Sequence, residues 1–277
     1  QRLKNPGSTA ELDRWDMKFA EALSSFRARI LDPENILGAG SSKQTYSSDN
    51  ADWSAAFRSW KQTSVVKVTK WVVLHPPRTG DQTKEFIACC KKIGPSLGMQ
   101  MSAPKVFETV DQRPSTYVQD LNKVMELQPQ LVMIVIPNNK GDHYAAVKQI
   151  CCLEKPVPSQ VMTATVLGKP KGLMSVATKV LVQMNCKLGG EPWTVDIPLK
   201  NTMVLGYDTY HDSLHKDKSV GALVASLNKT FTKFISSVEF HSNQSELTDK
   251  MTPGIAKALR KYKEVNGCFP DRVMMYR

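Results

Sequence analysis

Beyond residue 65 the chain alternates short apolar runs with amphipathic stretches. The runs WVVL at 71–74 and LVMIVI at 131–136 are apolar at every position. That pattern belongs to strands covered on both faces, as in a parallel sheet, rather than to strands with one wet side. Stretches 84–93 and 117–127 repeat apolar residues at helical spacing, with a shorter strand at 105–107 between them. A helix at 144–152, a strand at 160–166 and a helix at 173–185 follow. Gly189-Gly190 closes that last helix, and Pro192 prevents its continuation. The succession is βαβ, which predicts an α/β fold around a parallel sheet. A second unit opens with a strand at 202–207, adds strands at 222–227 and 231–240, and runs into a helix at 247–265. Upstream, 12–30 reads as helical and the Gly/Ser/Asn-rich 38–50 as an exposed loop, a linker with some structure.

Composition adds a sign to this picture. With 277 residues, 41% of them hydrophobic, the chain has enough apolar material for one large or two medium cores. Its 37 Lys and Arg against 26 Asp and Glu leave a formal charge of +11. Such a surplus attracts polyanions, with nucleic acid or an anionic membrane surface as the natural candidates. The longest apolar run, Leu131–Ile136, is far too short to span a bilayer, and no basic-then-apolar leader opens the sequence. The expectation is a soluble intracellular protein. The six cysteines, Cys89, Cys90, Cys151, Cys152, Cys186 and Cys268, show no C-x-x-C spacing and read as reduced thiols.

The candidate chemistry concentrates after the 131–136 run. The loop Asn138, Asn139, Lys140, Gly141 and Asp142 leads into a helix that carries Tyr144 and Lys148 four residues apart on one face. Beyond a strand's carboxyl end, facing a helix N-terminus, is where α/β folds bind anions. Taken alone, the Tyr/Lys pair reads as a solvated helix face rather than as a site. Two further segments change that reading: Pro156-Val157-Pro158-Ser159-Gln160, and Gln183-Met184-Asn185-Cys186-Lys187-Leu188-Gly189-Gly190.

With these segments the sequence resembles the MID domain of Argonaute proteins, and specifically the Piwi branch. The resemblance implies a Rossmann-like MID domain over residues 65–192, a preceding linker over 1–64, and the N-terminal part of an RNase H-like PIWI domain over 193–277. It also implies that Tyr144, Lys148, Gln160 and Lys187 converge on the 5′-phosphate of a small guide RNA of the piRNA type. In these roles Tyr144 stacks on the first base, the lysines neutralise the phosphate, and Gln160 donates an amide N–H. Gln183 stands where the Argonaute branch usually carries a second lysine. By resemblance to the Piwi pattern, Gln183 recruits a divalent cation, Mg²⁺, to the phosphate. The loop 138–142 matches the family's nucleotide-specificity loop. Lys187 considered by itself could equally complement the C-terminal dipole of its helix.

Two-metal cleavage of RNA needs clustered hard oxygen ligands. Asp208, expected near the end of the 202–207 strand, resembles the first metal ligand of the PIWI domain, and Glu246 matches the position of the family's glutamate finger. Glu239 competes for that second role. The next ligand is the Asp of a Y-R-D-G sequence, and the chain stops at Tyr276-Arg277. The expectation is that this chain anchors a guide without cutting, while a longer parent acts as a Mg²⁺-dependent endoribonuclease. Target RNA, including transposon transcripts, and proteins of the silencing machinery in cytoplasmic germ granules or the nucleus are the implied partners. A basic α/β scaffold that recruits acidic proteins is the alternative. His211, Asp212 and His215 read as an exposed loop, and Lys257, Arg260, Lys261 and Lys263 as a basic helix face that is either solvated or tracks RNA phosphates.

Overall fold

The computed structural model describes residues 5–20, 22–47, 49–54, 56–139, 141–211, 218–242 and 247–277. Residues Gln1–Pro33 and Glu34–Arg277 form separate units. In the first, α1 (Pro6–Arg14) begins where the Asn5 side chain accepts the Gly7 N–H at 3.1 Å and Pro6 fills the first turn. The helix expected over 12–30 is displaced toward the N-terminus, because no described residue of 15–33 is helical. Leu23, Phe26 and Ile30 are 84–98% exposed. An apolar stripe with nothing to bury against cannot offset the cost of ordering a helix.

In the second unit, β1 (Ile36–Leu37) and β2 (Lys43–Gln44) pair antiparallel, with the Gly38 N–H donating to Ser42 O at 2.9 Å. The stretch 38–50, expected to be an exposed loop, therefore supplies the turn and second strand of a small hairpin. The βαβ body follows: β3 (Trp71–His75), α2 (Gly80–Ile93), β4 (Lys105–Glu108), α3 (Pro114–Met125), β5 (Leu131–Ile136), α4 (Gly141–Lys148), β6 (Ser159–Thr163), α5 (Ala164–Leu167) and α6 (Leu173–Lys187). A wider helical turn over Gln149–Glu154 extends α4. The four strands are parallel in the order β4-β3-β5-β6. The strand expected over 160–166 stops at Thr163, the partner of Ile136 at the end of β5. With no neighbour left to pair, the chain turns into α5.

Period-two alternation divides the apolar strands between two cores. Trp71, Val73, Leu131, Met133 and Val135 pack with Phe86 of α2 and Leu181 of α6. Val72, Leu74, Val132, Ile134 and Ile136 pack with Tyr117 and Leu121 of α3 and Val147 of α4. All six residues of β5 are buried, as its unbroken apolar run requires.

The chain then forms β7 (Thr194–Val195), which joins β1, and β8 (Thr202–His211), β9 (Lys218–Ser226), β10 (Phe234–Ser242), α7 (Leu247–Asn266) and β11 (Arg272–Tyr276). The order is β10-β9-β8-β11, antiparallel except that β11 runs parallel to β8. Met203, Leu205, Ala225, Ala258 and Tyr262 form the core between this sheet and α7. No helix among the described residues is long and apolar enough to cross a membrane.

Candidate anion site beside the edge strand

Tyr144 lies in the first half of α4, Lys148 at its last position, Gln160 near the start of β6, and Gln183 and Lys187 one turn apart near the end of α6. These five residues, drawn from three elements, form one connected set. Lys148 Nζ lies 5.6 Å from the Tyr144 ring centroid and donates to Ser159 Oγ at 2.8 Å. Lys187 Nζ donates to Ser159 O at 2.8 Å and to Gln160 Oε1 at 2.9 Å. Gln160 Nε2 in turn donates to Gln183 Oε1 at 3.1 Å.

The helix-terminus argument accounts for only part of the set, since the cleft reaches Ile136, Asn139 and Thr163 at the strand ends while the two ammonium groups gather elsewhere. The cations meet at the start of β6, not beyond the strand ends. Asp142 already supplies a negative charge to the first turn of α4, which satisfies the dipole there. What admits Lys187 is the position of β6 at the sheet edge, since the Ser159 carbonyl has no neighbouring strand on that side.

Ser159, which sequence reasoning passed over, is the hub of the set. It is 4% exposed. Its only signal was its place between the rigid Pro156-Val157-Pro158 and the singled-out Gln160. Burial, and secondarily the charge of Lys148, pushes the Lys187 ammonium below its ordinary pKa. Two cations held close together by neutral oxygens gain when an anion arrives.

A cleft of about 410 Å³ opens next to the set. Asn139, Tyr144, Gln160, Thr163 and Gln183 supply its polar rim, and Val161, Val176 and Val180 its apolar floor. Tyr144 is 51% exposed, so a ring face is open to stacking. Of the loop 138–142, Lys140 lies outside the described residues, while Gly141 and Asp142 open α4.

Asp208 is separate from this site. It lies inside β8, not at its end, opposite Ala222 and beyond the last β11 pairing at Gly206 and Tyr276. Its carboxylate is exposed, with Oδ1 accepting the Thr209 N–H at 2.8 Å. Glu246, Asp212 and His215 lie outside the described residues. Glu239 pairs with Gly221, one register step from Asp208, and so points to the opposite face, toward Gly254 of α7. Alternation removes it as a partner. His211 Nδ1 is 2.8 Å from Ser219 Oγ. Among the described residues no three His, Cys, Asp or Glu gather as a metal cluster.

The model of the Piwi domain family matches residues 131–277. The chain belongs to the Piwi clade of Argonaute proteins. It is 38% identical over 273 residues to the Piwi-like protein Siwi of Bombyx mori, covering 98% of this chain and 30% of that protein. Protein aubergine of Drosophila melanogaster is 37% identical over 283 residues, covering all of this chain and 33% of that protein. The chain thus spans about a third of the length of these Piwi relatives. The crystal structure of Drosophila Piwi superposes with a TM-score of 0.84 at 28% identity, over 99% of this chain and 38% of that one. The fold is also that of Kluyveromyces polysporus Argonaute solved with a guide RNA, at TM-score 0.71 and 17% identity over 90% of this chain and 32% of that one.

Proposed function

We propose that this Piwi-clade chain anchors the 5′-phosphorylated end of a small guide RNA of the piRNA type, which then pairs with target transcripts to silence them. The observation that carries the reading is the connected set of Tyr144, Lys148, Gln160, Gln183 and Lys187 around Ser159. A terminal phosphate carries up to two negative charges and takes several charge-assisted donors. On its arrival Lys148 and Lys187 exchange neutral Ser159 and Gln160 oxygens for anionic ones. The Tyr144 ring stacks on the first base, and the cleft below it receives that base with Asn139 on its rim.

In this reading residues 65–192 are the MID domain, 193–277 the first part of PIWI, and 1–64 the linker. A Mg²⁺ ion would be held by the guide phosphate and the Gln183 amide oxygen, supplying positive charge where the second lysine of other Argonautes stands. For cleavage by a longer parent, Asp208 and Glu246 are the metal ligands this chain contributes. The exposed Asp208 carboxylate, on the sheet face that α7 leaves open, favours that second role.

The deciding experiment compares the affinities of 5′-phosphorylated and 5′-hydroxyl RNAs of equal sequence. The phosphorylated end binds tighter, and Lys148→Ala or Lys187→Ala each removes most of the difference. Equal affinity for both ends would overturn the reading and leave the basic scaffold in its place.

A further inference from the structure

Asn185 is fully buried in the last turn of α6, two residues before Lys187. Its amide does nothing for its own helix. Oδ1 accepts the Val66 N–H at 3.0 Å, and Nδ2 donates to Ser64 O at 2.8 Å and to Gln62 Oε1 at 3.0 Å. All three partners lie in the segment upstream of β3, 119, 121 and 123 residues away along the chain. The same segment grips the chain just past α6. Ser64 and Glu191 exchange both backbone hydrogen bonds at 2.9 Å, and the Thr63 N–H donates to Pro192 O at 3.2 Å. Gly190 lies so close that a Cβ there would collide with the Asn185 amide.

Lys187 therefore sits between two clamps, at Asn185 and at Glu191, both applied by residues 62–66. Helix ends fray, and a lysine on a frayed turn spreads its ammonium over many positions. Here the last turn is fixed, and Nζ is delivered to the Ser159 carbonyl and Gln160. A core position that served packing alone would be filled by an apolar residue, because a buried amide costs stability unless every partner is in place. Buried polar groups of this kind set register.

We propose that Asn185 is a positioning residue for Lys187, with Gln62 as its partner, so that the segment preceding the MID body is part of the phosphate site. The inference rests on the 5′-phosphate reading above.

The test measures, on the 277-residue chain, the ratio of affinities for 5′-phosphorylated over 5′-hydroxyl RNA. Asn185→Ala lowers that ratio about tenfold, the scale of one lost charge-assisted hydrogen bond, and Gln62→Ala lowers it severalfold. Affinity for the 5′-hydroxyl RNA stays unchanged in both. Val124→Ala, in the core on the other face of the sheet, lowers the melting temperature and leaves the ratio alone. A folded Asn185→Ala or Gln62→Ala protein with the wild-type ratio, alongside a Lys187→Ala protein that has lost it, overturns the inference and spares the phosphate reading. If Asn185→Ala does not fold, Gln62→Ala decides by the same criterion. A wild-type chain that binds both RNAs equally removes the phosphate reading and this inference with it.

Discussion

Lys187 Nζ donates to the Ser159 carbonyl at 2.8 Å, an oxygen that faces the open edge of β6. Lys148 reaches the hydroxyl of the same serine at the same distance. Two ammonium groups on separate helices are thus brought together by one buried neutral residue, and Gln160 links them to Gln183. The arrangement holds positive charge in place before any anion arrives, which reduces the reorganisation that binding requires.

The first prediction concerns pH. Lys187 is pushed down by burial and then by Lys148, so it loses its proton at lower pH than an ordinary lysine. A bound phosphate favours the protonated form, so affinity falls as pH rises through the depressed value. On the acid side affinity falls below about pH 6, where the phosphate takes up a proton. Removing the neighbouring charge by Lys148→Gln weakens binding overall but moves the alkaline limb to higher pH. Fluorescence anisotropy titrations across the pH range measure both limbs, and an alkaline limb that stays put in Lys148→Gln contradicts the assignment.

Tyr144→Ala weakens binding of 5′-phosphorylated RNA by about 1–3 kcal/mol, the usual contribution of stacking on an aromatic ring. Tyr144→Phe retains most of the affinity. Because the side chain is 51% exposed, neither change moves the melting temperature much. Isothermal calorimetry with both variants separates stacking from the hydroxyl's contribution.

Gly190→Ala forces the Asn185 amide out of its site, since the added Cβ collides with it. The expected loss of stability is about 1–3 kcal/mol, typical of overpacking in a filled core. Chemical denaturation reads it directly. A Gly189→Ala comparison tests the backbone instead, because Gly189 takes φ +95° and meets no atom within 4 Å.

Tyr117→Phe removes a buried hydroxyl that donates to Val135 O at 2.8 Å. The loss is about 1 kcal/mol, the usual net contribution of one such bond. Guide affinity stays at the wild-type level, because that bond lies in the core beneath the sheet.

Asp208→Asn changes stability by no more than about 0.5 kcal/mol, as expected for an exposed side chain whose hydrogen bond among the described residues goes to its neighbour's amide. It leaves guide affinity intact. In a longer parent that cleaves, the same change abolishes cleavage, and an assay of target cutting beside guide binding distinguishes the two effects.

Much of the parallel sheet was legible from local pattern. LVMIVI cannot sit on a sheet with a wet face, and it became the strand buried on both sides. The resemblance carried by the Tyr144/Lys148 spacing, the Gln160 segment and the K-L-G-G end singled out five residues that the fold links by hydrogen bonds and a cation–ring contact. The misses have one source. The 12–30 stretch was read from its apolar residues, yet whether such a stripe becomes a helix depends on a surface that those residues do not encode. Asp208 was placed at a strand end because the apolar run stops at Tyr207, whereas β9 continues to pair β8 through His211.

The sequence by itself determined which residues are apolar, that α6 must stop before Gly189-Gly190, and which family the chain resembles, because periodicity and short motifs are properties of neighbours along the chain. Only the tertiary structure decided that Lys148 and Lys187 share Ser159, and that Asn185 is bolted to residues 62–66. Those relationships join groups separated by 11 and 28 positions in the first case and by 119 to 123 in the second. No local rule of spacing reaches that far. They depend on β6 taking the open edge of the sheet, and on α6 packing so that its last turn meets a strand on one side and the upstream chain on the other.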